Sequence, residues 1–142
     1  MSPFALGLLL RRAHDRASGA LAGAVRPLGL ELRHFAAMVE LAHSGPINQR
    51  DLGLAIGMDK ATVVRVIDDL ERSGLAERLL IPGDRRMRNV RLTDRGMEIF
   101  DQAHDNGRGI SDALVADLAP GEYEQLMDIL TRFTYPSPAE ES

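Results

Sequence analysis

A chain of 142 residues with 17 basic and 21 acidic side chains, net charge −4, is sized for one domain with a single core. It holds no cysteine, which excludes disulfides, thiolate metal sites and thiol-based oxidant sensing together, and its 4% aromatic content leaves the core to Leu, Ile, Val, Ala and Met. Phe4 to Leu10 is apolar, but Arg11 and Arg12 follow directly and no run approaches the ~18 apolar residues of a membrane span, so a soluble, cytoplasmic protein is expected.

The first predicted helix runs over residues 4–25, with Leu6, Leu9, Leu10, Ala13, Ala17, Leu21 and Val25 on one stripe. Small residues cluster at Ala17 to Ala20 and Ala22 to Ala24, where another backbone can approach closely. The next helix carries the stripe Leu32, Phe35, Ala36, Val39 and Ala42 and is ended by Ser44-Gly45-Pro46. A short helix then starts near Gln49 and breaks at Gly57, and a second begins within three residues. Helices so close must cross steeply, which calls for a small residue at the contact, a left-handed turn residue and branched anchors. Gly53, Gly57, Val63 and Val66 fill those places.

In the second helix of the pair, Val63, Val66, Ile67 and Leu70 share one stripe, with Ala61, Val64, Arg65, Asp68 and Arg72 roughly opposite. The outer face near its start is short, polar and partly basic, which suits entry into a DNA major groove about 12 Å wide. Lys60, Thr62 and Arg65 can donate hydrogen bonds to base edges, and Ala61 and Val64 can pack on thymine methyls. An ordinary amphipathic surface helix would share the periodicity. The following segment argues against that alternative.

Gly74 suits a left-handed helix stop. Two short runs on either side of Pro82-Gly83-Asp84 then predict a two-stranded hairpin with a broad tip. From Arg78 to Arg95 there are six arginines and two aspartates. A cationic loop beside a reading helix is what phosphate neutralisation requires, and an arginine at its tip can enter a narrow minor groove. A second long helix is predicted from Thr93 to Leu118, bent or interrupted around Gly107-Arg108-Gly109. Pro120 suits the first turn of a last helix with Tyr123, Leu126, Met127, Leu130 and Phe133 at helical spacing, stopped by Pro136. The terminal helices offer more apolar surface than one small domain needs, which predicts a homodimer.

Charge is distributed unevenly. Residues 1–45 carry +2, residues 46–96 carry +2 and residues 97–142 carry −8. An acidic C-terminal third is expected to face away from phosphate, with the basic groups on the opposite surface.

The residues Asp51-Leu52-Gly53, Thr62 to Arg65, Asp68 to Leu75, Arg78, Gly83 to Arg86 and Val90 to Gly96 resemble the MarR family of bacterial transcription regulators. The match is dense from about Leu32 to Gly96. The resemblance implies a mainly α fold with a small β-hairpin wing, a winged helix-turn-helix with a helical dimerisation region. All of 1–142 would form one unit, with 30–96 reading DNA and 4–25 and 97–134 dimerising. It implies a homodimeric repressor of double-stranded DNA, binding an inverted repeat. Gln49, Lys60, Ala61, Thr62, Val64, Arg65, Arg78, Asp84, Arg85, Arg86 and Arg88 are its expected contacts. Family wings commonly carry Asp-x-Arg-Asp-x-Arg, and here Ile81-Pro82-Gly83 replaces the first triplet, so Arg85 or Arg86 must supply any minor-groove contact. The family also implies release from DNA by small anionic aromatic ligands in a cleft between the helical region and the winged part. Arg12, Arg16, His34 and Arg85 are the residues expected there, and paired hydrogen bonds from guanidinium suit a carboxylate. A solvated helix face is the alternative for Arg12 and Arg16.

No nucleophile elbow, phosphate loop or metalloprotease helix occurs, so neither an enzyme nor a cofactor is expected. His14, His34, His43 and His104 lack metal-ligand spacing, although His104 stands three residues after Asp101, and no metal is expected. Two alternatives stay beside the ligand-responsive repressor. One is a winged-helix regulator with no small-molecule effector. The other is a protein-interaction module, which would more typically replace the basic hairpin with an apolar patch.

Overall fold

Branched and straight apolar side chains converge on one helix of this computed structural model, which describes residues 1–137. The chain runs α1 (Ala5–Val25), a 3-10 turn (Arg26–Leu28), α2 (Leu32–Ser44), β1 (Ile47–Asn48), α3 (Gln49–Ile56) and α4 (Lys60–Arg72). It continues through β2 (Ala76–Ile81), β3 (Asp84–Leu92), α5 (Asp94–Leu114) and α6 (Glu122–Thr134). The α4 stripe read from periodicity is the centre of the core. Val63, Val66, Ile67 and Leu70 are each at most 2% exposed, packed with Met38 and Leu41 of α2, Leu52 of α3 and Val90 of β3.

The sheet is three-stranded and antiparallel in the order β1-β3-β2, one strand more than the predicted hairpin. The extra strand, Ile47–Asn48, pairs with Val90 and Asn89. Two residues are too few to show alternation, so only the pairing reveals it.

Three helices differ from their predicted form. In α2 the buried face is His34, Ala37, Met38 and Leu41, and Val39 is exposed. This helix is apolar around more than half its girth, and the Phe35 side is used elsewhere, stacking on Phe100 of α5 at 5.5 Å between ring centroids. Helix α5 runs unbroken through Gly107 and Gly109 and ends at Leu114 rather than Leu118. There α1 and α5 cross closely: an added Cβ at Gly107 would stand 3.9 Å from the Ala24 Cβ, one at Gly23 3.9 Å from Ile110 Cδ1. Asn106 Nδ2 donates to the Ala24 carbonyl at 3.0 Å across the same crossing. The tertiary contact thus overrides the weak helix preference of glycine. Helix α6 starts at Glu122, after Gly121 rather than at Pro120, and the Glu122 carboxylate accepts from the Ala119 N–H at 2.8 Å.

The two ends of the chain leave apolar groups uncovered. Phe4, Leu6, Leu8 and Leu9 of the α1 end, and Leu126, Met127, Ile129 and Phe133 of α6, are all exposed, and α6 buries no residue fully.

Candidate nucleic-acid interface

The helix pair α3–α4 is held by its predicted small residues. Gly57 takes φ 66° and closes α3, and a Cβ on Gly53 would come within 3.0 Å of Val63 Cγ2 and 3.2 Å of the Met58 carbonyl. Each helix also has a side-chain cap. Asn48 Oδ1 accepts from the Asp51 N–H at 2.8 Å, and Asp59 Oδ1 accepts from the Thr62 N–H at 2.8 Å. The Thr62 amide, aided by the Thr62 hydroxyl, holds the Asp59 carboxyl below its ordinary value. Capping fixes where α4 begins, and therefore which side chains lead it: Lys60 and Ala61 are exposed, Thr62 and Val64 half-buried, Arg65 exposed.

The wing departs from a simple hairpin in one place. Leu80 pairs with Arg88, but Ile81 pairs with Asp84, so Arg85, Arg86 and Met87 are extra residues bulged from β3. The turn itself is therefore narrow, Pro82-Gly83 with Gly83 at φ 82°, and the predicted breadth comes from the bulge. Asp84 Oδ1 accepts from the amides of Arg86 at 2.8 Å and Met87 at 3.1 Å. These amides lower the Asp84 pKa, that of Arg86 most. From the other side, Arg88 Nη1 donates to the carbonyls of Arg85 and Met87, both at 3.0 Å. Asp84 and Arg88, both expected to touch DNA, hold the bulge in shape with their polar groups.

Ion pairing sorts the basic residues. Arg78, Arg91, Arg72 and Arg95 bridge to Asp68 and Glu71, Glu77, Asp69 and Glu98 respectively. Arg78, an expected DNA contact, has a side chain only 22% exposed between two carboxylates. Gln49, also an expected contact, is half-buried and turns its Oε1 to Arg78 at 3.5 Å. Lys60, Arg65, Arg85, Arg86 and Arg50 form no salt bridge among the described residues. No sequence motif marks Arg50, one turn before Leu54 on α3. Arg50, Leu54, Lys60, Arg86 and Met87 line one open groove of about 790 Å³ between α3, the start of α4 and the bulge.

The four residues expected around an effector are not gathered. Arg12 is exposed on α1, whereas Arg16 Nη1 donates to the Leu114 carbonyl at 3.0 Å, at the end of α5. His34 is buried with both ring nitrogens engaged: Nδ1 accepts from the Glu31 N–H at 3.0 Å, and Nε2–H donates to Asp69 Oδ2 at 2.9 Å. The first bond identifies the tautomer, and the second holds the Asp69 carboxyl below its ordinary value. Such a histidine has no nitrogen left for a ligand. Arg85 sits on the wing bulge, beside Leu80, Ile81 and Pro82.

The sequence model of the MarR family matches residues 30–87. The HTH-type transcriptional regulator YdgJ of Bacillus subtilis is 30% identical over 104 residues, covering 73% of this chain, and the chain spans 63% of YdgJ's length. The crystal structure of a probable transcriptional regulator from Pseudomonas aeruginosa superposes with a TM-score of 0.82 at 32% identity, covering 91% of this chain and 96% of that one. BpsR of Bordetella bronchiseptica, whose DNA binding is regulated by 6-hydroxynicotinic acid, superposes with a TM-score of 0.83 at 26% identity, covering 92% and 98%.

Proposed function

The chain belongs to the MarR family of transcription regulators, and from that premise we propose that it is a sequence-specific DNA-binding repressor acting as a homodimer on an inverted repeat. The observation that carries the proposal is the sorting of cations. Five unbridged basic side chains, on α3, the leading end of α4 and the wing bulge, border the face that a duplex would meet, whereas Arg72, Arg78, Arg91 and Arg95 are ion-paired internally and Arg88 is spent on backbone carbonyls. Exposed unpaired cations on one face serve phosphate, and the partly apolar start of α4 serves base edges.

In this reading Lys60, Ala61, Thr62, Val64 and Arg65 enter the major groove, Arg85 and Arg86 approach the flanking phosphates or minor groove, and Arg50 adds a phosphate contact. Gln49, Arg78, Asp84 and Arg88 act by shaping those elements. Residues 30–96 read DNA, and 4–25 with 97–134 make the dimer. The exposed apolar groups of Phe4, Leu6, Leu9, Leu126, Met127 and Phe133 support a second copy as the partner, because burying them in a symmetric interface removes apolar surface from water. Among the described residues no helix is long and apolar enough to cross a membrane, and a DNA target puts the site of action in the cytoplasm.

Release by a small aromatic acid is part of the proposal, supported by the ligand response of BpsR. Arg12, whose guanidinium is unbridged among the described residues, is the candidate to hold the carboxylate. Footprinting the full chain on DNA upstream of its own gene, with and without 6-hydroxynicotinic acid, tests the whole reading. A protected inverted repeat is expected, and protection is lost on adding the acid. Uniform, sequence-independent protection would overturn the assignment as a specific regulator.

A further inference from the structure

The guanidinium of Arg78 stands where three elements meet. Its Nη2 donates to Asp68 Oδ1 at 2.6 Å and to Gln49 Oε1 at 3.5 Å, and its Nη1 to Glu71 Oε1 at 3.0 Å. The backbone N–H of the same residue donates to Glu71 Oε2 at 3.1 Å. One residue at the base of β2 therefore holds α4 at two positions three residues apart, on one helix face, and reaches the first residue of α3. Only a planar fork of N–H donors can serve three acceptors in these directions at once. An ammonium is a point charge on a flexible stem.

The base of the wing is fixed by Ala76 and Val90 in the core and by the pairing of β3 with β1, but its outer part is not. The last pairing of β3 with anything but β2 is Asn89 with Asn48, and beyond it the hairpin is bonded to itself. The bulge with Arg85 and Arg86 lies past that point, so its distance from Arg65 depends on the angle at which the hairpin leaves its base. We infer that Arg78 is a positioning residue for operator recognition: clamped by Asp68, Glu71 and Gln49, it sets the angle between the wing and the reading helix and touches no phosphate. This rests on the reading of the chain as an operator-binding regulator.

The two roles for Arg78 make opposite predictions. A phosphate ligand neutralises charge on any sequence, so its loss weakens operator and random DNA alike and lowers the salt slope by about 0.9. A positioning residue acts on the match between two contact sets, so its loss lowers the ratio of operator to random-DNA affinity and leaves the slope unchanged. Asp68→Asn and Glu71→Gln sharpen the contrast. Each leaves Arg78 in place and removes an acid near DNA, so a phosphate-binding Arg78 would be freed and binding to both DNAs would rise. If Arg78 positions the wing, operator affinity falls while random-DNA affinity holds or rises.

The experiment measures the full-length chain and its Arg78→Lys, Asp68→Asn and Glu71→Gln variants on operator and random duplexes across a salt series, well below each variant's unfolding temperature. The wild type must prefer the operator; its failure to do so would sink the underlying reading, not this inference. Expected for all three variants is a drop of about tenfold or more in the specificity ratio, at an unchanged salt slope. An intact ratio in Arg78→Lys, which keeps the charge and loses the fork, or intact ratios in both acid variants, would overturn the inference.

Discussion

The carbonyl oxygen of Leu75 occupies the space that a β-carbon on Gly96 would need. That carbonyl also accepts the Thr93 N–H at 3.1 Å, while the Thr93 hydroxyl donates to the Gly74 carbonyl at 2.6 Å and accepts from the Gly96 N–H at 3.0 Å. The end of the wing and the start of α5 are thereby clasped to the turn after α4. Gly96→Ala should destabilise the fold by about 1–3 kcal/mol, as overpacking against backbone does. Urea unfolding monitored by circular dichroism checks it, and a midpoint equal to the wild type's would show that the clasp yields freely.

Assembly is tested through α6. The wild type should sediment at twice 15.6 kDa. Leu126→Glu and Phe133→Glu place charge on the exposed apolar face and should shift the protein toward monomer while leaving helix content unchanged. Sedimentation equilibrium at micromolar concentration decides; a wild type that is folded yet monomeric would remove the dimer from the proposal.

On DNA, Arg65→Ala should cost about 1–3 kcal/mol on the operator and relax preference at one base position. Arg86→Ala should instead weaken all sequences and lower the salt slope by about 0.9. Fluorescence anisotropy at several salt concentrations separates the two, and an Arg86→Ala protein with the wild-type slope would mean that Arg86 meets no phosphate.

Acid should weaken the fold in part through three hydrogen-bonded carboxylates. Hydrogen bonds from the Thr62 amide, the His34 ring and the Arg86 amide hold Asp59, Asp69 and Asp84, respectively, below the ordinary 3.8. The unfolded chain then binds more protons in this range, so the contribution is present above pH 3.8 and is lost as pH falls through the lower folded-state values. Asp59→Asn keeps an acceptor at the cap without its titration. Urea midpoints measured from pH 6 down to about pH 2.5 should fall less steeply for this variant than for the wild type. Parallel curves would assign the acid sensitivity to other groups.

A small aromatic acid should displace the operator, and Arg12→Ala should raise the concentration needed without changing affinity for DNA alone. Coupling between two sites is typically about 1–3 kcal/mol, or 5- to 150-fold in affinity. Gel-shift titration with 6-hydroxynicotinic acid and salicylate on both proteins checks this. A ligand effect equal in wild type and Arg12→Ala would place the acid elsewhere.

The sequence by itself determined the features that depend on near neighbours. The stop at Gly57, the α4 stripe of Val63, Val66, Ile67 and Leu70 and the Gly74 helix end follow from dihedral freedom and helical period, both local properties of the chain. The two short runs flanking Pro82-Gly83-Asp84 gave the hairpin by equally local turn chemistry. Tertiary structure alone decided which arginines are free. Arg78 and Arg86 stand in the same basic run, yet one is spent on Asp68 and Glu71 and the other is unbridged among the described residues. The face of α2 that goes inward, the unbroken α5 and the strand Ile47–Asn48 were equally beyond reach. Each depends on what a distant segment places opposite: α3 and α4 beneath His34, Ala24 against Gly107, Val90 beside Ile47. An ion pair or a helix crossing is fixed by distances in space, and a spacing along the chain carries that information only when both partners lie within a few residues.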